Sequence, residues 1–143
     1  MFFHKFGDTY AIRLERGEEL AASLKELCVT EQVRLGTLSG LGAMDHVVVG
    51  VYDLAEKRFC PNVFDEPLEM TGLEGSVTER EGEPYLHIHA SFGRADGSVI
   101  GGHLSEARVS ATAELFLRTL AGRVGRVFDE ETGLNLLDFR LEG

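Results

Sequence analysis

A chain of 143 residues, 43% hydrophobic and 27% charged, fits one globular domain over residues 1–143 and is long enough to bury a real core. Its 14 Lys and Arg against 24 Asp and Glu leave a net charge of −10. That balance disfavours direct duplex binding, whose affinity comes from clustered cations neutralising phosphates. No apolar run approaches the roughly 20 residues of a membrane span, and the start Met1-Phe2-Phe3-His4-Lys5 lacks a secretory apolar segment. A cytoplasmic protein with no membrane partner is expected. Cys28 and Cys60 stand far apart, which suits buried, reduced thiols, and neither has the close cysteine neighbour of a thiolate zinc site.

Tyr10 to Glu15 alternates apolar and polar residues, the pattern of a half-buried strand. Gly17 then opens a helix with Glu18 and Glu19 in its first turn, Leu20, Leu24, Leu27 and Cys28 on one face, and an end near Gln32. Val33 to Ala43 and the β-branched run His46 to Tyr52 read as strands. Asp53 to Lys57 is a turn, Arg58 to Cys60 returns, and Pro61-Asn62 breaks the chain. Pro67 to Val77 is extended, Glu81 to Pro84 turns, and Tyr85 to Phe92 and Ser98 to Leu104 flank a hairpin connection at 93–97. Ala111 to Leu120 fits a helix or a two-faced strand. A turn at 129–133 and a short strand around 136–139 close the chain. The expected fold is α+β, a single mostly antiparallel sheet flanked by one or two helices.

The chemistry concentrates in Leu86-His87-Ile88-His89 and Gly101-Gly102-His103-Leu104. On a strand, residues two apart share a face, so His87 and His89 project together, about 7 Å apart at the backbone. A three-residue loop Ala95-Asp96-Gly97, with glycine in the left-handed position, pairs Arg94 with Ser98 and, counting inward, His89 with His103. A two- or four-residue loop, or a bulge at Gly101-Gly102, would turn His103 away. In the three-residue register His87, His89 and His103 converge as ligands for zinc or another divalent transition metal. The fourth position is then open to water, which points to metal-dependent hydrolytic chemistry. Glu114 is the candidate proton acceptor or fourth ligand. The plain alternative is a set of half-buried strand histidines hydrogen-bonded to backbone. Gly40-Leu41-Gly42 is not a dinucleotide loop, because Asp45 stands where the third glycine belongs.

These segments resemble a known family. Gly40 to Ala43, Pro67 to Gly75, His87-Ile88-His89, Gly101-Gly102-His103 and Thr112-Ala113-Glu114 occur in the order seen in the plants-and-prokaryotes conserved (PPC) domain. The resemblance spans roughly Tyr10 to Phe139. It implies an antiparallel sheet with flanking helices, a homotrimer, and a zinc-like metal at the three histidine positions in some prokaryotic members. It also brings in nucleic acid as a partner by family association, although this chain has no Arg-Gly-Arg-Pro AT-hook and no basic tail. Two further readings follow: a DNA-associated regulatory oligomer, and a purely structural trimer. No small-molecule ligand is legible in the sequence.

Overall fold

Alternation of buried and exposed residues, far more than helical periodicity, shapes this chain. The computed structural model describes residues 1–140. It contains β1 (Phe2–Phe6), β2 (Thr9–Glu15), α1 (Leu20–Thr30), β3 (Gly36–Asp53), β4 (Arg58–Phe64), β5 (Leu68–Arg80), β6 (Glu83–Gly93), β7 (Val99–Thr119), β8 (Gly125–Asp129) and β9 (Leu134–Asp138). The first seven strands form one antiparallel sheet in the order β1-β2-β7-β6-β5-β3-β4, and β8 pairs with β9 in a separate hairpin. A direct β3–β7 pairing closes a ring through β5 and β6. The fold is thus largely β. The expectation of one or two helices resolves to a single short helix among the described residues.

The helix begins later than its acidic start suggested, because Glu18 and Glu19 lie outside it. Glu19 is the N-cap, its carboxylate accepting from Ala21 N and Ala22 N at 3.2 and 2.6 Å. The same carboxylate accepts from Ala107 N at 3.0 Å, which ties the helix start to β7. Leu20, Leu24, Leu27 and Cys28 are buried, packing α1 into the sheet's interior beside Leu14, Val109 and Phe92. Burial alone pushes the Cys28 thiol up to about 11, so it stays protonated and inert.

The ambiguous stretch after residue 110 is strand. Ala113, Leu115 and Leu117 are buried, while Thr112, Glu114, Phe116 and Arg118 are exposed. β2 pairs along one edge of this stretch and β3 along the other, so period two wins. Two other expectations shift. Pro61 does not end its strand, because β4 lies at the sheet edge, where proline is tolerated. Met1 to Phe6 had no predicted element, yet β1 pairs with β2 along its length.

A buried carboxylate anchors the β8–β9 hairpin. Glu79 on β5 accepts from Arg34 Nη1 at 3.0 Å and Arg123 Nε at 3.2 Å, with Arg123 Nη2 on its other oxygen. Its backbone N–H donates to Val124 O at 2.9 Å, so strand and hairpin are joined at one residue. The Arg123 hydrogen bonds, then those of Arg34, hold the Glu79 carboxyl below its ordinary value of 4.5. A lowered folded-state pKa contributes stability above the unfolded value, and that stability is lost as pH falls through the folded value. Glu79→Gln should therefore lower stability by on the order of 1–2 kcal/mol at neutral pH. The difference from wild type should shrink as pH falls through the lowered folded-state value, from neutral pH to the most acidic pH at which the protein still folds. Thermal or urea unfolding at the two pH values checks this; an equal deficit at both would refute the ionic contribution.

Candidate metal centre

The β6–β7 hairpin adopts the three-residue loop. Arg94 N donates to Ser98 O and Gly97 N to Arg94 O, each at 2.9 Å, with Gly97 at φ 83°. Asp96 stiffens the turn by accepting from Ser98 N at 2.9 Å and Ser98 Oγ at 2.6 Å. The register runs inward from Gly93↔Val99 to His89↔His103, as loop length requires. His87 follows two residues along β6, opposite Ser76 of β5.

The three imidazoles gather on the outer face of the sheet. Their ring centroids lie 5.1 Å (His87–His89), 5.3 Å (His87–His103) and 5.5 Å (His89–His103) apart, and one nitrogen from each lies within 4.8 Å of the others. His103 also meets the Phe59 ring edge-on at 5.6 Å. Among the described residues, no protein group hydrogen-bonds a nitrogen of the trio, whereas the separate His46 holds Asp65 at 2.6 Å. The alternative of histidines tied to backbone therefore lacks its bonds. Burial first, then His103, His89 and Arg126, push the His87 pKa down; burial and then His89 do the same at His103. Both imidazoles are thus neutral at pH 7, with a lone pair free to donate.

A divalent metal fits this donor set. Metal–nitrogen bonds of about 2.0–2.1 Å place tetrahedral donors roughly 3.4 Å apart. The candidate ligand nitrogens, within 4.8 Å of one another, lie in the range from which three imidazoles can converge on one ion.

Glu114 does not join the trio. It sits eleven residues further along β7, exposed, between Arg13 of β2 and Leu41 of β3. At about 3.3 Å of rise per residue that is a contour of roughly 35 Å. Nothing local in the sequence fixed Glu114 beside the histidines, and the 21-residue strand β7 carries it away from them.

The surroundings of the trio come from residues not singled out as site residues in the sequence. The histidines floor a cleft of about 900 Å³, walled by Val51, Tyr52 and Phe59 on one side and by Leu134, Leu136 and Leu137 of the hairpin on the other. Arg126 enters from β8. Its Nε donates to Thr78 Oγ1 at 2.9 Å and its Nη1 to Asn135 O at 3.1 Å, and the guanidinium lies 4.9 Å from the Tyr85 ring centroid. Arg118, Arg123 and Arg126, close together in sequence, are sent to different places by the fold. Arg118 pairs with Asp8, Arg123 with Glu79, and Arg126 faces the cleft. No local signal marks this, since almost 40 residues separate Arg126 from His87.

An antiparallel sheet with one helix packed on it and an outward three-histidine cluster beside a hairpin-walled cleft defines the class of protein. The chain belongs to the Plants and Prokaryotes Conserved domain family, whose model matches residues 1–121. Among solved structures it is similar to a metal-containing protein from Archaeoglobus fulgidus, at 35% identity and TM-score 0.86 over 95% of this chain and 97% of that one. It is also similar to a plant- and prokaryote-conserved protein from Pyrococcus horikoshii, at 31% identity and TM-score 0.86 over 96% and 94%. A candidate DNA-binding protein from Bacteroides thetaiotaomicron superposes with TM-score 0.94 at 26% identity, over 96% of each chain. No curated protein sequence matches the chain.

Proposed function

We propose that this protein binds one zinc-like divalent metal per chain through His87, His89 and His103, at the floor of a ligand cleft. One observation carries the reading: three imidazoles bring a nitrogen each within 4.8 Å of the others, and among the described residues no protein group hydrogen-bonds them. The similarity to the metal-containing Archaeoglobus fulgidus protein supports it. Bound there, the metal supplies Lewis acidity at a coordination position that the protein leaves open. Hydrolytic chemistry has weaker support. Among the described residues no Asp or Glu lines the cleft, so no carboxylate stands ready to move a proton. Metal-assisted ligand binding is the function these residues serve best.

The DNA-associated reading fares worse on electrostatics. Several arginines that a phosphate backbone would need are engaged by acids: Arg94 with Glu66, Arg108 with Asp45, Arg118 with Asp8, Arg123 with Glu79. Freeing them costs the existing ion pairs, and the net charge of −10 repels the polyanion.

Assembly as a homotrimer is proposed on the family resemblance and on one exposed face. Phe2 and Phe6 of β1, Phe116 of β7 and Leu41 of β3 are each more than half exposed, and the register through β2 puts them on one face of the contiguous strands β1, β2, β7 and β3. Aromatic residues in such a row are usual at contacts between subunits.

His89→Ala should abolish stoichiometric zinc, whereas His46→Ala should keep it. Elemental analysis of untagged protein decides, and full metal content in the triple His→Ala variant would refute the site. Duplex DNA should bind with no more than the weak, salt-sensitive affinity typical of non-specific contact, roughly 10⁻⁴–10⁻⁶ M or weaker; an anisotropy titration showing sub-micromolar affinity and a steep salt slope would reverse that. Light scattering at micromolar concentration should return three times the 15.7 kDa chain mass, and a single monomeric species would sink the trimer.

A further inference from the structure

Arg126 is a charge without a counter-charge. Arg123, three residues earlier, is neutralised by Glu79, but Arg126 has no carboxylate partner among the described residues. It is nevertheless held rigidly: Thr78 Oγ1 and Asn135 O each take one N–H, and the Tyr85 ring supports the plane. Thr78 is itself buried and donates to Tyr85 O at 3.3 Å, so the clamp is fixed from below. Nη2 has no protein acceptor among the described residues. Partial burial pushes the Arg126 pKa down, opposed only by Tyr85. Such a fork is shaped for a bidentate anion.

Two further features describe the rest of the occupant. The hairpin wall beside Arg126 carries Leu134, Leu136 and Leu137, with Val51 across from it, so most of the cleft is apolar. Asn135 also lines the cleft. Its Nδ2 donates to Tyr85 Oη at 3.5 Å, and its Oδ1 is buried with no donor among the described residues. A buried amide oxygen without a partner is costly, and a ligand hydroxyl or N–H would satisfy it.

We infer that the cleft binds a small organic acid, its carboxylate on the Arg126 guanidinium, its apolar body along the hairpin leucines, and a polar end toward the three histidines. Only that last contact rests on the metal-centre reading. One guanidinium among leucines suits a singly charged carboxylate better than a phosphate dianion, which calls for more donors than this wall holds.

Calorimetric titration of 3-phenylpropanoate, its uncharged amide and inorganic phosphate into zinc-free and zinc-loaded protein tests the inference. The zinc-free form isolates Arg126, because a carboxylate also ligates zinc. There the acid should bind at least about tenfold tighter than the amide, the ratio expected of one charge-assisted bidentate contact. Arg126→Gln should erase that preference while zinc stoichiometry stays at the wild-type value. Arg126→Lys should restore only part of it, having the charge without the fork. His89→Ala should lose zinc and keep the preference, so failure of the metal reading and failure of this one give different results. Equal binding of acid and amide overturns the inference, as does an unchanged preference in Arg126→Gln. Tighter binding of phosphate than of the acid overturns the carboxylate class. A flat titration does so as well, since the cleft would then be covered, for instance by a second copy of the chain. Should Arg126→Gln fail to fold, the acid–amide comparison on the wild-type protein decides alone.

Discussion

The geometry around the three histidines depends on how closely β7 approaches both of its neighbours just before His103. A β-carbon on Gly101 would stand 2.6 Å from the Ala90 carbonyl oxygen of β6, and one on Gly102 would stand 2.4 Å from the Gly50 carbonyl oxygen of β3. Both distances are below any tolerable contact, and the atoms met are backbone, which cannot swing aside. The two glycines therefore let three strands converge on one short segment, and His103 leaves that segment opposite His89 on one side and Gly50 on the other. Just past Leu104 the β3–β7 register slips, leaving Ser105 without a direct partner. The pairing of β7 with β6 ends at His103, while its pairing with β3 continues on both sides of this bulge. The same few residues that bring the imidazoles together also close the ring of strands.

A second constraint works from the opposite side of the cleft. The β8–β9 hairpin has its own two-strand pairing and is held to the main sheet by discrete polar contacts. Glu79 grips it at Val124 and Arg123, Arg126 reaches Thr78, and Lys57 Nζ donates to Glu130 O at 2.6 Å near the turn. Gly133 lies so close to Tyr52 that a β-carbon would come within 2.5 Å of the phenol oxygen. Pinned at both ends, the hairpin stands over the histidine face as a wall. Charge is distributed accordingly: Arg123 is consumed in the anchor, which leaves Arg126 as the cation offered to the cleft.

Much of this was legible in the residues. The spacing of His87 and His89 on a strand needs only period two, and the loop Ala95-Asp96-Gly97 sets the register that brings in His103. These are local rules, and local rules survive folding when a tight turn enforces them. The helix face Leu20, Leu24, Leu27 and Cys28 was equally plain. Glu114 failed for the opposite reason: its relation to the histidines runs through the length and bend of a 21-residue strand, which no local pattern records. The stretch after residue 110 stayed ambiguous because apolar content at that density suits either period until β2 and β3 pair on its two edges.

Sequence by itself determined the shared face of His87 and His89, the turn residues that favour the three-residue loop, and the acidic balance, because each depends on residue identity and on contacts within a few positions. Tertiary structure alone decided what faces the donors. The leucines of β9, Arg126 and the unpartnered Asn135 oxygen reach the cleft through long-range pairings and a handful of side-chain bonds, and Glu114 is carried away from it. Spacing along a chain constrains neighbours through backbone geometry. Distant segments meet only where the closed set of strand pairings and the Glu79 anchor bring them together.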